Sequence, residues 1–274
     1  MPVINTNTSA QYAQDALKVN SKTMSSAMQQ LATGNRINQA KDDAAGLSIG
    51  QNMTSQVRGL NQAVRNVNDG INLLQTADGA LVETSNMLQR MRELAVQSSN
   101  GTNSVSQRSY LNNEFSSLKL ELSRISDNTT WNNANLLGST GGASVTFTFQ
   151  AGILSGQTIP ITLSAMGATG LALDGTSIGD FASAQSSITS VDVAIETVNN
   201  SRSRMGATMN QLSYSADNMV NISTNIAASR STVMDTDYAT ASATLSKSQI
   251  IQQAATAMLA QANQQPQSVL SLIK

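Results

Sequence analysis

The chain has 274 residues, 40% of them hydrophobic but only 3% aromatic and 12% charged, and 16 Lys and Arg stand against 17 Asp and Glu for a net charge of −1. That balance excludes a nucleic-acid surface or a polybasic membrane anchor, because both need clustered positive charge. With no Cys and no His, disulfides, thiolate chemistry and the commonest metal ligand and general base are excluded too, and neither a catalytic residue nor a cofactor or metal site is expected.

The opening stretch, MPVINTNTSAQYAQ, has no basic cluster followed by an apolar run. It does not read as a secretory signal peptide, and no apolar stretch reaches membrane-spanning length. The composition therefore places the chain in the cytoplasm or on an unusual export route. Prolines stand only at Pro2, Pro160 and Pro266, which opens residues 3–159 to long helices. Residues 8–33 predict a first helix with Leu17, Met24, Met28 and Leu31 on one seam and Gly34-Asn35 as its stop. Asp42 or Asp43 then caps a second helix over about 43–99, roughly 85 Å long at 1.5 Å per residue. Its three-four stripe runs from Met53 to Ala95, broken by Asp78, Ser85 and Arg92, and a second stripe (Leu73, Ala77, Ala80, Met87, Met91, Leu94) lies beside it. Such a helix has two neighbours. NGTNS at 100–104 ends it, and Ser104 with Gln107 has capping-box spacing for a third helix to about Asp127.

The helical period then gives way to alternation. Val145, Phe147 and Phe149, followed by Ile159, Ile161 and Leu163, predict a small β-hairpin region. From Asp180 a second long helical stripe runs from Ile188 to Val233, and Asp235 or Asp237 recaps a last helix. Its stripe is Ile251, Ala255, Met258, Ala262, Val269 and Leu272, widened by Leu270 and Ile273, with a bend expected at Pro266 near Ala262. The expected fold is therefore mainly α. Long antiparallel helical rods form a coiled-coil-like bundle, a small β-hairpin region (128–179) joins them, and the terminal helices pair as a two-helix coiled coil. Two thin terminal helices bury little apolar area, so the expected partners of their seams are further copies of the chain.

Several stretches carry a family resemblance. LATGNRINQAKDDAAGLSIG (31–50), QVRGLNQAVRNVNDGINLLQTADGAL (56–81) and LQRMRELAVQSSNGTNS (88–104) closely resemble the amino-terminal region of bacterial flagellins. AASRSTVMDTDYA (227–239) and QANQQPQSVLSLIK (261–274) resemble the carboxy-terminal region. The resemblance covers roughly 1–138 and 180–274. It implies a homo-polymeric filament subunit used for motility, with residues 1–42 plus 236–274 as the inner-core helices and 43–235 as the outer-core domain. It also implies passage through a type III export apparatus with an export chaperone, and contact with filament cap and hook-junction proteins. Leu17, Met24, Met28, Leu31, Ile251, Ala255, Met258, Ala262, Val269, Leu270, Leu272 and Ile273 become the inner-core assembly positions.

In flagellins recognised by toll-like receptor 5, the stretch matching LQRMRELAVQ contacts the receptor, which points to Arg90, Leu94 and Glu114. The plain alternative is a packing role for Leu94 and solvated charges at the other two. Asp42 and Asp43 read as a helix cap rather than a calcium site, since no third ligand follows at EF-hand spacing. Arg92 and Arg202 fall on apolar stripes and need a carboxylate such as Asp78 or Glu196. Gly50, Gly59, Gly70 and Gly79 either admit close neighbours or permit register changes. The Met-rich seam at Met205, Met209 and Met219 reads as adaptable core. A hook-filament junction protein of the same superfamily is the competing function. A long coiled-coil signalling protein and an enzyme are weaker rivals, because no membrane span accompanies the helices and a zinc-protease insert needs a His-Glu-x-x-His motif that a chain without His lacks.

Overall fold

The computed structural model describes residues 6–138 and 143–271, with 265–271 as backbone only. Among these, the chain forms α1 (Thr8–Thr33), α2 (Ala44–Ser98), α3 (Val105–Asn128), β1 (Thr130–Trp131), β2 (Ala134–Asn135), β3 (Val145–Gln150), β4 (Thr158–Leu163), α4 (Phe181–Met234) and α5 (Tyr238–Ser271). The two hairpins β1-β2 and β3-β4 are each antiparallel. A mainly helical fold with a small β region is what the periodicity predicts.

Helix ends are written in local chemistry. Asn7 caps α1 by accepting the Ala10 N–H, and Gly34 at φ 72° ends it by donating to the Gln30 carbonyl. Of the two carboxylates offered for α2, Asp43 is the cap, accepting the Gly46 N–H at 2.9 Å. Asp42 instead holds the preceding turn by accepting from Asn38 and Gln39. Both aspartates are thus engaged with backbone, as the cap reading expects. The Ser104–Gln107 capping box is complete at α3, and Asp180 and Asp237 cap α4 and α5.

The chain separates into two compact units, one of Met1–Val57 with Thr224–Lys274 and one of Arg58–Ser223. The division falls inside α2 and α4, whereas the sequence reading drew its boundaries at the helix starts near 43 and 236. The first unit packs α1 against α5 and the start of α2 against the end of α4. A Cβ at Gly50 would overlap the Met234 thioether, so this glycine admits a close neighbour. The segment between α1 and α2 is tied down by an Asn35–Asp235 bridge, by the Arg36 N–H to the Met234 carbonyl (2.7 Å), and by the Arg36 guanidinium to the Val233 carbonyl (2.7 Å).

The second unit holds the larger core. Leu74, Leu81, Leu88 and Met91 of α2 are buried with Phe115 and Leu122 of α3 and with Val191, Val198 and Leu212 of α4. Both α2 stripes are used, as two neighbours require. Arg202 reaches Asp78 at 2.8 Å, and Arg92 reaches Asp192 at 2.6 Å, a partner other than the two named from sequence. The register of β3 and β4 pairs Val145 with Leu163, Phe147 with Ile161 and Phe149 with Ile159. The shorter β1-β2 hairpin escaped the sequence reading because its strands are too short to alternate. Asn132 and Asn133, both at positive φ, make its two-residue turn. The segment after β4 is fastened to α3, where Asn112 Oδ1 accepts the Ile178 N–H and Lys119 donates to the Asp174 and Thr176 carbonyls.

Candidate functional site

In the first unit, α1 and α5 pair along a seam of unusual composition. Ala10, Asn20 and Ala27 of α1 are buried, with Ala13, Leu17, Met24 and Leu31 half-buried at steps of three and four between them. On α5 the matching series is Ala241, Leu245, Ser248, Gln252, Ala255, Leu259 and Ala262. Small and polar residues thus take many of the places where large apolar ones usually sit, including every fully buried one. Two asparagines cross the seam to backbone: Asn20 Nδ2 donates to the Ser248 carbonyl at 2.7 Å and Asn7 Nδ2 to the Ala262 carbonyl at 2.8 Å.

Other large apolar side chains of the pair point away from the seam. Val19 is 67% exposed and Met258 65%, and Tyr12, Met28, Ile250 and Ile251 are exposed as well. The expected assembly positions therefore divide into two sets. Leu17, Met24, Leu31, Ala255 and Ala262 line the seam within the chain, whereas Met28, Ile251 and Met258 face outward. Val269 and Leu270 lie on the backbone-only turns of α5, and Leu272 and Ile273 lie outside the described residues. Sequence reading missed Asn20, Ser248, Gln252 and Leu259. A hydrophobic stripe selects large residues, and here some of these (Met28, Ile251, Met258) face outward; the Ala, Ser and Asn at three-four spacing between the seam leucines were the signal that would have completed the seam.

In the second unit, Arg90 lies on the surface of α2 between two carboxylates, at 3.0 Å from Glu93 and 2.9 Å from Glu114 of α3. The hydrogen bonds it donates, to Glu93 first and then to Glu114, hold its guanidinium above the ordinary value. Leu94, one turn along, is 0% exposed. The three residues named together from sequence are thus two exposed charges in contact and one core side chain beneath them.

Among the described residues, no cluster of three or more His, Cys, Asp or Glu is placed to hold a metal ion, and no helix is long and apolar enough to cross a membrane.

Comparisons with known proteins agree with the mainly helical fold. Residues 4–141 match the family model described as the bacterial flagellin N-terminal helical region, and residues 188–273 match the bacterial flagellin C-terminal helical region. A flagellin of Halalkalibacterium halodurans is 43% identical over 274 residues, covering 99% of this chain and 100% of that protein. A flagellin of Listeria monocytogenes is 38% identical over 283 residues, covering 98% and 99%. A solved structure described as a hook-associated flagellar protein of Vibrio parahaemolyticus superposes with a TM-score of 0.59 at 14% identity, covering 70% of this chain and 99% of that one, a likeness of fold alone.

Proposed function

The chain belongs to the bacterial flagellin family, and on that premise we propose how its surfaces divide the work of a filament subunit. It is a structural protein of the bacterial flagellar filament, a polymer of its own copies. The hook-filament junction reading is not favoured, since flagellins match the chain over nearly its whole length. Residues 1–42 with 236–274 act as the inner-core helices and 43–235 as the outer core. Copies meet through the outward face of α1 and α5, including Met28, Ile251 and Met258, and through the apolar chain end at Val269, Leu270, Leu272 and Ile273.

One observation carries this reading: the α1-α5 pair closes on a seam whose fully buried positions are small or polar, while Tyr12, Val19, Met28, Ile250, Ile251 and Met258 stay exposed outside it. Exposed residues of this size, gathered on one helix pair, mark a protein interaction surface, and in a self-polymer the partner is another copy. The test is an Ile251→Asp, Met258→Asp chain added to seeds of unaltered filament. It is expected to keep the melting curve of the second unit and to fail to elongate; normal elongation would remove these residues from the copy-to-copy contact.

The remaining roles rest on the family. Export through a type III apparatus, with a chaperone gripping the unassembled ends, suits a subunit that carries an unpartnered apolar face. Filament cap and hook-junction proteins are its neighbours in assembly. No catalytic role is assigned to the chain, in keeping with a structural family. For toll-like receptor 5, the exposed pair Arg90 and Glu114 is the contact surface, with Leu94 fixing α2 beneath it.

A further inference from the structure

The start of α1 and the late turns of α5 meet through one side chain used twice. Asn7 Oδ1 accepts the Ala10 N–H at 3.0 Å and so caps α1, while Asn7 Nδ2 donates to the Ala262 carbonyl at 2.8 Å. In an α-helix the carbonyl of residue 262 accepts from the N–H of residue 266. Residue 266 is proline and has no N–H to give. The helix nonetheless runs on to Ser271. One carbonyl inside α5 therefore lacks its helical donor, and a side chain from the other end of the chain supplies it.

We propose that Asn7 and Pro266 are a matched pair that sets the register of the two chain ends and makes them order together. Proline opens a single address on α5, because Pro266 is the only proline between Tyr238 and Ser271. The group that fills it must donate across the seam while its other atom accepts from α1. An Asn amide has both functions on one rigid group; an Asp offers acceptors only, and a Ser hydroxyl is too short to do both. Asn20 makes a similar crossing, but to the Ser248 carbonyl, whose helical donor at Gln252 is intact. If α1 slipped by one heptad toward the start of α5, Asn7 would meet the Ala255 carbonyl, which the Leu259 N–H already engages within the helix, and Ala262 would be left open. The wrong register is thereby penalised at both atoms, since a partly buried carbonyl without a partner loses its hydration and gains nothing in return.

The experiment compares four full-length chains as assembled filaments: unaltered, Asn7→Ser, Pro266→Ala, and the two combined. Asn7→Ser keeps the cap and removes the long-reach donor, and Pro266→Ala returns the backbone donor. Amide exchange is read at Ala10 and over the turn of α5 after Ala262. Asn7→Ser is expected to speed exchange in that turn about tenfold in the natural background, equal to about 1.4 kcal/mol, and less than about twofold with Pro266→Ala. Equal acceleration in both backgrounds would overturn the pairing. Should Asn7→Ser alone form no filaments, the combined chain decides: recovered filaments support the pair, and continued failure refutes it.

Discussion

Leu94 and Arg90 sit one turn apart on α2 and answer to different forces. Leu94 has no exposed surface, so truncating it leaves a cavity that the neighbouring helices only partly close. Arg90 is about half exposed, and its bonds to Glu93 and Glu114 trade against water and salt, so they add little to stability. Leu94→Ala is expected to cost about 2–5 kcal/mol in urea unfolding, whereas Arg90→Ala leaves the urea midpoint nearly unchanged. In receptor-reporter cells given soluble monomer, Arg90→Ala should lower signalling without that loss of stability. A fully active Arg90→Ala protein would confine this surface to packing and solvation. The sequence motif grouped Arg90, Leu94 and Glu114 because a motif carries no information on burial. The split appears only once α3 is laid against α2 and Glu114 reaches across.

At the scale of elements, the helix caps were the most legible features, because each depends on residues within one turn. Ser104–Gln107 and Gly34 stand where the spacing places them, and Asp43 and Asp237 resolve the two ambiguous caps. The α1-α5 seam was less legible, since small residues produce no hydrophobic signal. Four of the five α2 glycines were weighed together and were not separable from sequence: Gly50, Gly59 and Gly70 have side chains against them, whereas a Cβ at Gly79 would meet nothing within 4 Å. The caps also carry a pH dependence. Hydrogen bonds from the Thr240 side chain and the Ala239 and Thr240 amides hold the Asp237 carboxyl below its ordinary value, and bonds from Ser183 do the same for Asp180. A carboxyl lowered in the folded state contributes fully above its unfolded value of about 4 and loses that contribution as pH falls through the lowered value. The melting temperature should therefore hold level from neutral pH to about pH 4.5 and fall below it. Asp237→Asn keeps an acceptor that cannot titrate, so that chain should fall less steeply; an identical slope would show that the cap does not contribute to acid sensitivity.

At the scale of the whole molecule, a filament subunit needs its two chain ends to pair in one register more than it needs them to pair tightly, because every copy must present the same outer face. The buried Asn20 reaching the Ser248 carbonyl answers that need. A polar residue at a seam position gives up apolar burial and in return disfavours slipped pairings. Asn20→Leu reverses the exchange. It adds apolar contact to the seam, so α1 and α5 should pair at least as strongly, but one of the two side-chain crossings that fix the register is gone. A slip of one heptad would carry Ile251 and Met258 along the pair relative to Tyr12 and Val19, and the outward faces of slipped and unslipped copies would not match. The Asn20→Leu chain is therefore expected to polymerise at equal or lower protein concentration, yet to give filaments of mixed helical order, seen as blurred layer lines in electron diffraction of single filaments. Sharp layer lines identical to those of the unaltered chain would show that the Asn7 contact and the outer faces fix the register without Asn20.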